Sequence, residues 1–348
     1  MRKLALLLVI VTAVAAVVVI TVFMLREAAP RAVRLLPSAN AFVYLDLKPL
    51  RTAGVLKQMP AVSLEPEYEQ FVRETGFQFE RDLDEAAFAV HLPAAVNPQQ
   101  PQATRYSEVF TARFDAGKLA AYLRKIGAAV ERYRGLDVYA IALPGRTLRV
   151  AIVGPQMVAA SNTEGPYVIQ SMIDRHQELT PARGPELVRR YYRDVPLGSV
   201  AWAITQTTAS GPQGNSMVTL PGGYALFFPA GTALVAGLRY VGSVQFKAEA
   251  FTETEDQARR VGDQLSAFVA LVRTVEGAQT GGEPEVKAFF DSLRVEQRDR
   301  RTELTATIPT GLLKKMVLEP PRVPGATAPP AVEKKKPNTE TPRHKGRR

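Results

Sequence analysis

Hydrophobic residues follow three rhythms along this chain. From Leu4 to Leu25 they run without interruption: twenty-two residues hold no charge, proline or glycine, and Thr12 and Thr21 carry the only hydroxyls. A helix of that length reaches about 33 Å, enough to cross a hydrocarbon core of about 30 Å. The run therefore predicts a transmembrane helix over residues 1–25, followed by a juxtamembrane linker over 26–36 in which Pro30 interrupts any helical continuation.

Beyond the linker, alternating and helical periods take turns. Ala41–Leu47 is β-rich after the turn-like Pro37-Ser38-Ala39-Asn40 and predicts the first strand. Tyr68, Phe71, Val72 and Thr75 share a helical face that Gly76 closes. Strands are predicted at 86–92 and 107–114, separated by the polar, proline-bearing loop 93–104. Asp115 is placed to cap a helix whose Leu119, Tyr122, Leu123 and Ile126 form one apolar stripe. A hairpin (130–133 with 138–143) and two further strands (148–153 and 157–161) follow. Pro166 then opens a helix carrying Ile169, Met172, Ile173 and His176, and Leu187, Val188, Tyr191 and Tyr192 mark another.

From Pro196 the order starts again. Strands are predicted at 200–204, 232–241 and 244–251, and Thr252-x-x-Glu255 has the pattern of a capping box. The following helix shows Ala258, Val261, Leu265, Phe268 and Val272 at 3-4-3-4 spacing. A hairpin (293–297 with 302–308) and a closing helix from Leu312 complete the series. Between them, Ser210–Ser216 is rich in glycine and serine and predicts a flexible loop. Strands and helices without steady β-α-β alternation predict an α+β body with a mixed, largely antiparallel sheet. The repeated order, strand–strand–strand–helix–hairpin, predicts two duplicated units over 37–195 and 196–318.

Charge changes this picture at one end only. Of the formal net charge of +10, residues 320–348 carry +6, from eight basic side chains against Glu333 and Glu340. With seven prolines and little apolar bulk, the segment 319–348 is predicted to be a disordered basic tail. Its expected partners are anionic lipid or envelope polymer, or nucleic acid if the tail faces the cytoplasm. The body between is nearly balanced. No cysteine is present, which excludes disulfides, thiolate metal ligands and lipoprotein processing.

The membrane segment itself poses two choices. Ala13-Val14-Ala15 fits a signal-peptidase site, yet the apolar run continues straight through it, which favours an uncleaved anchor. Arg2 and Lys3 on one side nearly balance Arg26, Arg31 and Arg34 on the other. A long C-terminal body can be exported largely regardless of its charge, so we expect a bacterial plasma-membrane protein with an extracytoplasmic body and the bilayer as partner of residues 4–25.

Chemistry is sparse. The dinucleotide, P-loop, serine-hydrolase elbow and zinc-protease signatures are all missing, and residues 211–216 lack the lysine of a phosphate loop. His344 falls in the tail, His91 ends a strand, and His176 sits at helical spacing beside apolar residues, where a hydrogen-bonded structural histidine is expected. Two acidic clusters, Asp82-Asp84-Glu85 and Glu253-Glu255-Asp256, lack a calcium-loop pattern, and the second suits the positive end of a helix. No residue is assigned a catalytic, cofactor or metal role.

The phrases LLPSANAFVYLDL (35–47), AIVGPQMVAASNTEGPYVIQSMIDRH (151–176) and VRRYYRDVPLGSVAWAI (188–204) together resemble bacterial membrane-anchored proteins of the DUF3352 type. The likeness spans about residues 36–205. It implies an anchored extracytoplasmic α+β body and supplies no catalytic residue. The leading expectation is a non-enzymatic binding or scaffolding module in the envelope. The alternatives are an anchored hydrolase with an unrecognised site and a cytoplasm-facing protein whose tail binds nucleic acid.

Overall fold

A computed structural model describes residues 28–54, 66–91, 105–178, 183–208, 215–219, 225–278 and 284–312. The predicted membrane helix and the basic tail lie outside the described residues. Among the described residues, no helix is long and apolar enough to cross a membrane.

In chain order, α1 (Arg31–Leu35) leads into β1 (Ala41–Asp46), followed by α2 (Lys48–Thr52), α3 (Pro66–Thr75) and the short turn α4 (Phe79–Asp82). Next come β2 (Leu83–His91), β3 (Arg105–Ala112), α5 (Ala116–Lys125), β4 (Ala129–Tyr133), β5 (Leu136–Leu143), β6 (Arg146–Gly154) and β7 (Met157–Ser161). Helices α6 (Tyr167–Gln177) and α7 (Glu186–Tyr191) close the first half. The second half holds β8 (Ser199–Gln206), β9 (Asn215–Thr219), β10 (Ala225–Pro229), β11 (Ala233–Val241), β12 (Ser243–Phe251), α8 (Glu255–Ala278), α9 (Pro284–Ser292), β13 (Arg294–Arg298) and β14 (Arg301–Ile308).

Twelve of these strands form one sheet in the order β13-β14-β12-β11-β8-β1-β2-β3-β7-β6-β5-β4, and β9 with β10 makes a separate ribbon. The fold is α+β, and the pairs of the large sheet are antiparallel. Its middle is the β1–β8 pair, where Val43 faces Ala203. Read outward from that pair, the order is β1-β2-β3-β7-β6 on one side and β8-β11-β12-β14-β13 on the other. The hairpin β4–β5 is extra to the first side.

One face of the sheet is closed. Phe42 and Tyr44 of β1, Ala87 and Ala89 of β2, Val109 of β3 and Trp202 and Ile204 of β8 point to it and are buried under α1, α6 and α7. Ile169, Met172 and Ile173 are the residues of α6 that the 3.6 period placed on one side, and all three are essentially inaccessible to solvent. Burying a side chain of that size stabilises by roughly 1.5–3 kcal/mol. Tyr44 stacks on Trp202 with ring centroids 5.4 Å apart, which locks the central strand pair. Arg175, in the last turn of α6, donates to the carbonyls of Leu35 and Leu36 and so satisfies acceptors at the C-terminal end of α1.

The opposite face carries two separate helical covers. Helices α3 and α5 shield β3 and β5–β7, with Leu119 and Leu123 packed on Tyr139 and Val158. Helix α8 and the β9–β10 ribbon shield β12–β14 through Val261, Leu265, Leu226 and Phe228.

Several local expectations change. The cap of α8 is not Thr252–Glu255, because the Thr252 hydroxyl is engaged by the carbonyls of Thr254 and Arg300. The box instead uses Thr254 and Gln257: Gln257 N donates to Thr254 Oγ1 at 3.2 Å and Thr254 N donates to Gln257 Oε1 at 3.3 Å. The helix starts two residues later because the β13–β14 turn claims the earlier threonine. Asn215 and Ser216, expected in a loop, begin β9. Asp115 does cap α5, accepting from Lys118 N at 3.0 Å.

Candidate functional site

Between the two helical covers lies an apolar trough. Its floor is the outward side of β2, β1, β8 and β11. Val43 is flanked by Phe88 and Ala203, and Ala203 by Ala236. Leu45 is flanked by Ala86 and Ala201, and Ala201 by Leu238. Strand β1 is thus apolar on both sides, as in strands covered on both faces. Yet its burial alternates: Phe42 and Tyr44 are buried, whereas Val43 and Leu45 remain half-buried. Val43, Leu45, Phe88, Ala203 and Leu238 belong to none of the four buried clusters of the described residues. A contiguous apolar band left partly open is the kind of surface that takes a partner.

A charged residue faces this band. Glu108 of β3 stands between Phe88 and Ala160 across the strands, with Tyr106 and Phe110 two residues away on the same side. Burial pushes its carboxyl above the usual range, and no cation among the described residues offsets it. The sequence offered no sign of this, since Glu108 reads as one polar residue in an alternating strand. The signal is the pairing, which sets it on the apolar side.

The residues singled out by sequence scatter. His91 lies 3.1 Å from Ser107 Oγ through Nε2, and Ser107 continues at 3.1 Å to Ser161 Oγ, which lies 2.8 Å from Thr163 Oγ1. Ser107 is 0 % exposed, so its hydroxyl cannot meet a substrate, and the pair lacks the accessible nucleophile that serine catalysis requires. Burial holds the His91 imidazole below its ordinary value. His176 hydrogen-bonds the backbone of Val153; burial, with Arg31 as a second cause, holds it low too. The acids of the first cluster diverge onto different cations: Asp82 to Arg81 at 2.6 Å, Asp84 to Arg51 at 2.6 Å and Glu85 to Lys48 at 2.8 Å. In the second cluster Asp256 reaches Arg259 at 3.4 Å on the surface of α8. Among the described residues, no three or more acids and histidines gather as a metal site would require.

No family model and no curated protein matches this chain. Among solved structures, crystal form III of TP0453 is similar over 83% of this chain and 98% of its own, at 10% identity and a TM-score of 0.47. Crystal form I gives 10% identity and 0.48 over 84% of this chain and 97% of its own. At that distance the likeness is one of outline, and no functional statement rests on it.

Proposed function

We propose that the chain is a single-pass, membrane-anchored envelope protein whose extracytoplasmic body is a binding module, and that its partner seats in the trough over β2, β1, β8 and β11. The observation that carries this reading is the half-buried apolar band of Val43, Leu45, Phe88 and Leu238, left between two helical covers. The partner's chemistry follows from the floor: an apolar polypeptide segment with one cationic or hydroxyl donor to meet Glu108. The uninterrupted run 4–25 supports the anchor, and the basic segment 319–348 would add contact with anionic lipid or envelope polymer. The matching strand order on the two sides of the β1–β8 pair supports duplication of one unit.

Two experiments test this. A photo-crosslinking residue at Phe88 or Leu238 of the full-length protein in cells should give a discrete adduct. The same group at the exposed Tyr167 or Val241 should not. Equal labelling at all four positions would show that the trough has no specific occupant. For the anchor, alkaline phosphatase fused after Arg348 should be active and a fluorescent protein there dark; the reverse pattern places the body in the cytoplasm.

A further inference from the structure

At the edge of the sheet formed by the first residues of β3 and β6 and the last of β7 lies a second concavity, a cleft of about 430 Å³ on the closed side of the sheet. Arg105, Arg146 and Arg149 line it together with Thr147, Thr163 and Glu164. The turns at its rim use Gly145 and Gly165 at φ 71° and 70°, a conformation that favours glycine. Among the described residues Glu164 is the only carboxylate of that lining, and it reaches Arg105 at 3.2 Å with its own side chain 86% exposed. Arg105 and Arg149 stand on the closed side with Thr163, where two guanidinium groups face one carboxylate; Arg146 is turned by strand alternation to the other side, where it acts on Tyr106.

Two features distinguish this cleft from a solvated basic rim. The Nε–H of Arg149 is buried and has no acceptor among the described residues, an unfavourable arrangement for a donor on a charged group, which marks this guanidinium as incompletely paired. The hydroxyl of Thr163 is held from behind by the chain Thr163–Ser161–Ser107–His91, at 2.8, 3.1 and 3.1 Å. That chain ends in the cleft, and its members are buried or half-buried. A fixed hydroxyl beside planar guanidinium forks is the donor set that phosphate recognition uses.

We propose that this cleft binds a dianionic phosphoryl group, free phosphate or a phosphate monoester, with Arg149 as a charged donor and Thr163 as an oriented hydroxyl. Arg105 joins when the anion displaces Glu164. The site is independent of the trough, so either can fail without the other.

The test is calorimetric titration of the full-length protein in neutral detergent at constant ionic strength. The probes are inorganic phosphate and dihexanoyl phosphatidic acid, itself a phosphate monoester, which separate a free anion from a lipid headgroup. Wild type should bind phosphate one to one. Arg105→Gln and Arg149→Gln should each weaken binding at least tenfold, Thr163→Val several-fold, and Glu164→Gln should tighten it. Arg259→Gln, on the far helix α8, should change nothing. Arg105 is exposed, so its variant keeps the test valid if loss of Arg149 disturbs folding. Binding of the lipid alone, lost in Arg105→Gln, supports the site and assigns its source to a headgroup. Binding of neither probe, or equal binding by wild type and Arg105→Gln, overturns the proposal.

Discussion

Replacing Glu108 by glutamine keeps the shape of the side chain and removes its charge, and should make the protein more stable at neutral pH. The carboxylate faces Phe88 and Ala160 across the sheet, with no cation among the described residues to repay its desolvation. Leaving a buried polar group unpaired costs about 1–3 kcal/mol, more when it is charged. Tm should then rise by roughly 2–4 °C per kcal/mol, somewhat less in a domain of this size. The sign of the pH dependence is fixed by the direction of the shift. A carboxyl whose folded value lies above its unfolded value binds more protons in the native state. Its penalty is therefore absent below the unfolded value of about 4.3, grows as pH rises through the folded value, and is complete above it. Denaturant unfolding of wild type and Glu108→Gln at a series of pH values between 4 and 8 measures the difference directly. The gap should be near zero at the acid end and should open in favour of the variant as pH rises. A gap that is flat with pH, or that opens in favour of wild type, would show that the carboxylate is compensated. If Glu108 is kept because the partner needs it, the more stable variant should also lose the adduct formed at Phe88, which is a stability–function trade-off at one residue.

Two further substitutions probe the frame that holds these sites. Ile173→Ala empties a fully buried position between α6 and the sheet and should destabilise by about 2–5 kcal/mol in equilibrium unfolding; a change below 1 kcal/mol would mean that the closed face is loosely packed. Gly237→Ala places a Cβ 2.7 Å from both Pro196 Cδ and Ser199 Oγ, so the turn ahead of β8 must shift, at about 1–3 kcal/mol. Stability equal to wild type would refute that contact.

Much of the fold was readable because local signals and burial agree. The alternation of Ala41–Leu47, the α6 stripe of Ile169, Met172 and Ile173, and the cap at Asp115 each depend on neighbours within a few residues, and each is where the pattern put it. The shift of the α8 cap from Thr252 to Thr254 has a tertiary cause, because the carbonyl of Arg300 lies forty-eight residues away in the chain. The strands of β9–β10 were missed for the opposite reason. Ser210–Ser216 reads as turn residues, and only pairing of Asn215 with Pro229 makes the first of them a strand. Candidate sites were less legible still. Neither Glu108 on an apolar floor nor the meeting of Arg105 and Arg149 beside Thr163 leaves a spacing in the sequence, since three strand ends meet there only once β3, β7 and β6 are neighbours.

The placement of the two candidate sites relative to Pro30 carries a further consequence. Pro30 borders a cavity with Tyr44, Asp46, Gly198 and Ser199, so the chain reaches the body at the end of β1 where Asp46 lies. The arginine cleft is at the other end: Ala41 pairs with Val90, and His91 with Arg105. The six residues of β1 separate the two levels by about 20 Å. On the anchored reading, the linker enters at one edge of the sheet, the trough crosses its middle, and the cleft opens at the far edge. Headgroups of the leaflet that holds the anchor would then lie beside the entering linker rather than beside Arg105. That geometry favours a soluble phosphoryl ligand for the cleft. It also makes the lipid arm of the titration a measure of what the site can recognise, separate from where the body stands above its membrane.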